Sequence, residues 1–181
     1  DANALECWGN DSHGQLSPPT TFTEFSAISS HRATTCAIGI PSIGSSLSIN
    51  FSNITCWGED GGTLDTDKPT GHFESTHVGD GFAIALDGLG KPYCWGSDLN
   101  AECSDMPTPA FVDVRATQGY ACGVEADGTA WCWGSQKQTY PIPPITFDQL
   151  AISAHSLCGL DAKQGVLCWG SDRYGHISSA P

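Results

Sequence analysis

Cysteine is the residue type whose chemistry is most informative in this 181-residue chain, which contains nine of them. Cysteine binds metals in C-x-x-C patterns or with histidine at short spacing, and neither pattern occurs here. The closest pairs are nine or ten residues apart: Cys94 and Cys103, Cys122 and Cys132, and Cys158 and Cys168. These spacings favour disulfide bonds, which form in oxidising compartments. We therefore expect an extracellular protein, secreted or held at the cell surface.

Other reactive constellations are missing from the sequence. It has no Gly-x-Ser-x-Gly elbow, no phosphate-binding loop and no His-Glu-x-x-His pair. The acidic loop Glu59–Gly62 lacks the ligand spacing of a calcium loop. The sequence thus predicts no catalytic residue, no cofactor and no metal site, and we do not expect an enzyme.

Charge and hydropathy exclude two classes of partner. The net charge is −13, and only seven basic residues are spread along the chain, whereas nucleic acids are bound through clustered lysine and arginine. No apolar run approaches the ~18 residues that a membrane-spanning helix needs. Three sequons, at Asn10, Asn50 and Asn53, predict N-glycosylation.

A repeated tripeptide, Cys-Trp-Gly, organises the chain. Its five tryptophans are 49, 38, 38 and 36 residues apart, which is typical of a repeat array: Trp8, Trp57, Trp95, Trp133 and Trp169. Because they recur at one repeat position, we predict that they form the repeat core rather than a carbohydrate-stacking surface. The 21 glycines and 11 prolines indicate many turns and favour an all-β fold.

The residues between the tryptophans predict short strands. A phenylalanine opens a strand in each repeat, and eleven residues later comes a cysteine, or isoleucine in the second repeat: Phe25 and Cys36, Phe73 and Ile84, Phe111 and Cys122, Phe147 and Cys158. The segment before each Cys-Trp-Gly is apolar on both sides, which predicts an inner strand covered on both faces. Turns are expected at Asp87-Gly88, at Asp127-Gly128 and over 163–165.

Hairpins of this length place the two cysteines of one repeat opposite each other within bridging distance. The predicted disulfides are Cys36–Cys56, Cys122–Cys132 and Cys158–Cys168. Because Ile84 replaces the cysteine of the second repeat, Cys94 lacks that partner, and Cys103 is the nearest candidate. Cys7 has no upstream partner, so we predict that it is unpaired or forms an intermolecular bond.

These anchors divide the chain into one propeller-like array of short antiparallel blades. A single repeat domain over 1–181 would consist of a half repeat 1–9, repeats 10–58, 59–96, 97–134 and 135–170, and a trailing half repeat 171–181. The first repeat carries an insertion between Gly39 and Ile54.

The tripeptide, the preceding phenylalanine and the 121–134 segment resemble the regulator of chromosome condensation type repeat, in its secreted, cysteine-rich branch. The resemblance implies a β-propeller with four-stranded blades around a central channel, usually about seven of them. The nucleotide-exchange activity of intracellular members is not expected, because this chain is acidic, short and rich in cysteine.

We expect a non-catalytic extracellular repeat protein that acts by contact with proteins or glycans. The half repeats at both ends and the unpaired Cys7 favour a structural fibre or surface subunit that assembles head to tail with copies of itself. The alternative is a recognition propeller that forms part of a longer receptor or inhibitor-like protein.

Overall fold

The computed structural model describes residues 5–20, 22, 24–40, 52–135, 141–161, 163, 165–173 and 177. Strands form four three-stranded antiparallel sheets, and one short helix, α1 (Gly61–Asp67), follows the first of them. Sheet 1 contains β1 (Phe25–His31), β2 (Thr34–Gly39) and β3 (Ile54–Gly58); sheet 2 contains β4 (Phe73–Val78), β5 (Phe82–Asp87) and β6 (Pro92–Gly96). Sheet 3 contains β7 (Asp113–Thr117), β8 (Tyr120–Val124) and β9 (Ala130–Gly134); sheet 4 contains β10 (Phe147–Ile152), β11 (Ser156–Asp161) and β12 (Val166–Gly170).

The strands of each sheet pair in chain order, so the second strand lies in the middle. β5 and β8 are almost completely buried, as expected for strands covered on both faces. The prediction that the Cys-Trp-Gly strand is the inner one is therefore wrong. Among the described residues that strand is an outer strand in all four sheets, and it is buried in β3 but has no buried residue in β12.

Two further expectations need correction. The four-stranded blades that the resemblance implies are not observed, because each sheet among the described residues has three strands. Phe111 does not open its strand, since β7 begins at Asp113. Phe111 is nevertheless buried and stacks on Trp133, with ring centroids 5.7 Å apart.

In sheets 2 and 3 the second and third strands are joined by a tight turn. In sheet 2 the Asp87 amide donates to the Lys91 carbonyl, and the Gly90 amide donates to the Asp87 carbonyl. Gly90 has φ +77° and Gly128 has φ +86°, a conformation that favours glycine. The Asp87-Gly88 prediction thus placed the left-handed residue two positions too early, because the turn ends at Gly90.

Each sheet has two chemically different faces. The face that carries the second-strand cysteine position is called the disulfide face, and the face that carries the repeat tryptophan is called the tryptophan face. The two sets alternate along the strands because successive side chains point to opposite sides of a sheet.

The chain separates into two compact units, Asp1–Ser97 and Asp98–Pro181. In the first unit the disulfide face of sheet 1 packs against the tryptophan face of sheet 2. Their common core contains Cys36, Ile38, Ile54, Cys56, Leu64, Phe73, Val78, Ala83, Ala85 and Trp95.

The second unit repeats this arrangement. Tyr120, Cys122 and Val124 on the disulfide face of sheet 3 pack against Phe147, Leu150, Leu157 and Trp169 on the tryptophan face of sheet 4. One interface type therefore stabilises both units, although the residues that fill it differ in size. The single domain over 1–181 stays a prediction, and most of the first-repeat insertion lies outside the described residues.

Candidate functional site

Six of the cysteines crosslink the second and third strands of sheets 1, 3 and 4. Disulfides join Cys36 to Cys56, Cys122 to Cys132 and Cys158 to Cys168, with Cα separations of 4.1, 4.1 and 4.0 Å. Each pair occupies directly opposed positions of the second and third strands. Cys94 and Cys103 are also disulfide-bonded, and Cys7 is a free cysteine.

The glycine of Cys-Trp-Gly lets the chain leave the sheet at the hairpin's open end. Gly58, Gly96 and Gly134 have φ between +95° and +97°. The amide of the following residue donates to a carbonyl across the hairpin, as from Ser135 to Gly119 at 3.0 Å. A Cβ on Gly134 would lie 2.6 Å from that same carbonyl oxygen. Close backbone approach therefore requires glycine here.

In three repeats the tryptophan makes a contact with the loop of the preceding repeat. The indole Nε1–H donates to a backbone carbonyl in three repeats: Trp57 to Gln15 at 2.9 Å, Trp95 to Leu64 at 2.9 Å, and Trp133 to Glu102 at 2.7 Å. Every acceptor stands seven residues after the previous repeat's tryptophan. Sequence reasoning missed this contact, although the constant tryptophan spacing was a signal for it.

Two of the three acceptor loops, those that contain Gln15 and Glu102, are folded by an aspartate three residues after the tryptophan, whereas the loop that contains Leu64 is helix α1. Asp11 Oδ1 accepts from the Leu16 amide at 2.8 Å, and Asp98 Oδ1 accepts from the Cys103 amide at 2.7 Å. Backbone amides of Ser104 and Cys103 lower the pKa of Asp98. A bonded aspartate thus holds the loop in the shape that presents its carbonyl.

The loop after Trp169 contains the same internal bond. Asp172 Oδ1 accepts from the Ile177 amide at 2.7 Å. Asp172 stands three residues after Trp169, and Ile177 stands five residues after Asp172, which is the spacing found in the two acceptor loops above. The described part of this loop therefore matches the described part of an acceptor loop.

Trp8 differs from the other repeat tryptophans. Trp57, Trp95 and Trp133 are buried, whereas Trp8 is 85% exposed. The prediction that Trp8 belongs to the repeat core is therefore wrong for this chain, because no acceptor loop among the described residues covers its indole. Trp169 is half-buried, and its Nε1 has no partner among the described residues; the matching carbonyl, at position 140, lies outside them.

The three sequons differ in their structural setting. Asn10 is exposed, and its Oδ1 accepts from the Ser12 amide at 2.8 Å. Asn53 is 5% exposed; its Nδ2 donates to the Phe73 carbonyl and its Oδ1 accepts from the Phe73 amide, both at 2.9 Å. A glycan on Asn53 Nδ2 would displace this buried pair, so the structure opposes the prediction at Asn53. Asn50 lies outside the described residues.

Two titratable groups have perturbed environments. Burial lowers the pKa of His31, with Arg32 adding to that effect and Asp80 opposing it. Burial raises the pKa of Asp113, and the nearby Arg115 opposes this effect.

Within the part of the chain that the structure describes, no three His, Cys, Asp or Glu side chains are grouped closely enough to hold a metal ion. The helix in these same residues is too short and polar to cross a membrane.

Known proteins resemble the chain in fold. No protein-family profile matches the sequence, and no curated protein matches it. Two solved plant receptor-kinase ectodomains do: the entire ectodomain of Physcomitrella patens CR4 (24% identity, TM-score 0.79, 97% of this chain and 48% of that one) and the CRINKLY WD40 ectodomain of Arabidopsis thaliana ACR4 (25%, 0.61, 85% and 51%). Human WBSCR16 is similar at 14% identity and TM-score 0.65, over 87% of this chain and 52% of that one.

The sheets and these likenesses define an all-β repeat protein of propeller type. The chain spans about half the length of these solved structures. Membership of the regulator of chromosome condensation type, and of its cysteine-rich branch, stays a prediction.

Proposed function

We propose that this protein acts outside the cell, without catalysis, by contact with proteins or glycans, and that its principal partner is a second copy of itself. Its disulfides support an oxidising location, since cytosolic thiols are kept reduced. The two receptor ectodomains have a similar fold in an extracellular setting. Fold alone does not assign function, so the surface must carry the proposal.

The observation that supports self-assembly is the exposure of Trp8. The same repeat position is buried in three other repeats, where the indole donates to a carbonyl of the preceding loop. Trp8 is exposed, and the loop after Trp169 has the Asp172–Ile177 bond of an acceptor loop. A copy that placed Trp8 on this loop of its neighbour would extend the array head to tail, as a fibre or surface layer.

Analytical ultracentrifugation and negative-stain microscopy under non-reducing conditions test this proposal. We expect concentration-dependent association and filaments from the wild-type chain, and weaker association for Trp8→Ala. Trp131→Ala is the matched control, because Trp131 is also exposed, at 42%, but bonds to Glu125 within its own repeat. A wild-type chain that stays monomeric over a wide concentration range, or equal effects of the two substitutions, would contradict self-assembly.

The second candidate is a recognition propeller that belongs to a longer protein. It is favoured by the coverage of only 48% and 51% of the two receptor ectodomains. An immunoblot of the native source under reducing conditions separates the candidates. A polypeptide close to the 19.0 kDa of this chain, before any glycan mass, supports a subunit, whereas a much larger polypeptide supports the longer recognition protein.

We also propose that Asn10 carries an N-glycan. Its side chain is exposed and its sequon lies in a surface turn. Removal of glycans by glycosidase from the protein should reduce its mass, and Asn10→Gln should make that reduction smaller by the mass of one glycan. A mass reduction that is unchanged in Asn10→Gln would refute this assignment.

A further inference from the structure

In two of the three tryptophan contacts, the residue two positions after the tryptophan lies beside the loop that covers the indole. The first case is in sheet 1, where Trp57 donates to the Gln15 carbonyl and Glu59 stands two residues after Trp57. Glu59 Oε1 lies 3.8 Å from Nε2 of His13, a residue of the same loop as Gln15. The covering loop therefore runs close to this position.

The second case is in sheet 3, where Ser135 stands two residues after Trp133. A Cβ built on Gly119 would lie 3.1 Å from Ser135 Oγ and 3.5 Å from the side chain of Asn100, which belongs to the loop that covers Trp133. Asn100 and His13 occupy the same loop position, five residues after the preceding tripeptide tryptophan. The same two repeat positions thus lie close together in both units.

The corresponding residue after the exposed Trp8 is Asn10, and only there does this position carry a sequon. Asn10 is exposed, and its Oδ1 accepts from the Ser12 amide at 2.8 Å. An N-glycan is attached to Nδ2, so this bond can persist in the glycosylated chain and hold the attachment point in place. In the other copies of the tripeptide the residue at this position is Glu59, Ser97, Ser135 and Ser171.

We propose that an N-glycan on Asn10 prevents Trp8 from docking on the loop of a second copy, so that glycosylation controls head-to-tail assembly. In that contact the second copy's loop must lie beside Asn10, as the covering loops lie beside Glu59 and Ser135. A glycan is bulky and occupies the space that the loop needs. This inference rests on the proposed self-assembly and the proposed glycan, and it adds the relation between them.

The glycan blocks the donor of a copy and not its acceptor. Asn10 follows Trp8, whereas the acceptor that we propose is the loop after Trp169. A glycosylated copy still accepts Trp8 from an unmodified copy, but it does not donate its own. It therefore becomes a terminal subunit, because a heterologous array grows only where a donor and an acceptor are both free.

Sedimentation of full-length variants from a host that N-glycosylates secreted proteins tests this inference. Ser12→Ala removes the sequon of Asn10, and Ser12→Thr is the matched control that keeps it; the sequons at Asn50 and Asn53 are intact in both. We expect S12A to form filaments. The glycosylated wild type and S12T should associate at least about 30-fold more weakly, because an aromatic anchor is commonly worth that much at an interface.

A mixing experiment tests the terminal subunit. Glycosylated wild-type chain added in small amounts to S12A should shorten the filaments in negative-stain images. Filaments of unchanged length contradict the blocked donor.

Mass spectrometry determines whether Asn10 carries the glycan, and circular dichroism determines whether the variants are folded. Asn10→Gln should associate as S12A does, and it keeps the contact of 2.8 Å between Ser12 Oγ and His13 Nδ1 that S12A loses. Equal association of S12A and glycosylated S12T, or a wild type without a glycan on Asn10, overturns the inference and leaves self-assembly in place. If both S12A and Asn10→Gln stay monomeric, self-assembly and its control by the glycan are both wrong.

Discussion

Substitution of the tripeptide glycine tests the structural account of the repeat most directly. Gly134→Ala introduces a Cβ that would lie 2.6 Å from the Gly119 carbonyl oxygen and 2.8 Å from the Tyr120 Cα. Both are backbone atoms of the paired hairpin, so neither can rotate away. Gly9 occupies the same tripeptide position with φ +114°, but a Cβ there would have no atom within 4 Å. Gly9→Ala is therefore a matched control for backbone strain without the clash.

The expected magnitudes follow from this difference. Alanine in a left-handed conformation costs about 1–2 kcal/mol at either position. Gly134→Ala must in addition separate the strands, which breaks the Ser135–Gly119 hydrogen bond of 3.0 Å, worth about 1 kcal/mol, and loosens the packing of Trp133. We expect a loss in the free energy of unfolding of about 3–4 kcal/mol for Gly134→Ala and no more than about 2 kcal/mol for Gly9→Ala.

Urea unfolding followed by tryptophan fluorescence under non-reducing conditions measures the two losses. The free energy of unfolding falls by about 2 kcal/mol per molar urea for a domain of this kind. A difference of about 2 kcal/mol between the two variants therefore separates their unfolding midpoints by about 1 M urea. If Gly134→Ala shifts the midpoint no more than Gly9→Ala does, the close approach of strand and carbonyl is not what requires glycine, and the explanation of the tripeptide fails.

Three further changes probe the core and its crosslinks. Trp95→Phe removes the indole donor and leaves the buried Leu64 carbonyl unpaired, which should cost about 1–3 kcal/mol in urea unfolding. Replacing Cys122 and Cys132 by alanine opens a ten-residue loop and should cost about 2.5–3 kcal/mol in the same assay. Burial lowers the pKa of His31, so the unfolded chain binds a proton first as the pH falls below about 6.5. Stability should therefore decrease from pH 7.5 to pH 5.5, and His31→Gln should reduce that decrease.

The repeat positions could be predicted from the sequence because local spacing determines them. Antiparallel hairpins place the cysteines at equal distances from a turn, and the paired positions Cys122 and Cys132 are the result. The all-β class followed from the same regular spacing and from the many turn residues. These features depend on residues close in the chain, where the sequence is informative.

Features that depend on tertiary contacts were not predictable in the same way. Which strand lies in the middle of a sheet is decided by pairing, and an apolar segment such as Ile54–Gly58 looks alike in a central and an outer strand. The sequon at Asn53 is indistinguishable from that at Asn10 until burial and the Phe73 contacts are known. The exposure of Trp8 also required the structure, because its tripeptide matches those of the buried tryptophans.

The tryptophan contact is the reason that we favour the proposed self-assembly over a separate binding surface for an unrelated protein. In three contacts the indole donor belongs to one repeat and the acceptor carbonyl to the loop of the preceding one, so repeats of this kind are incomplete alone. Trp8 is a donor without an acceptor among the described residues, and the loop after Trp169 contains the Asp172–Ile177 bond that matches the bonds of two acceptor loops. A partner with an unrelated fold would have to present a comparable loop, whereas the second copy that we propose already carries one.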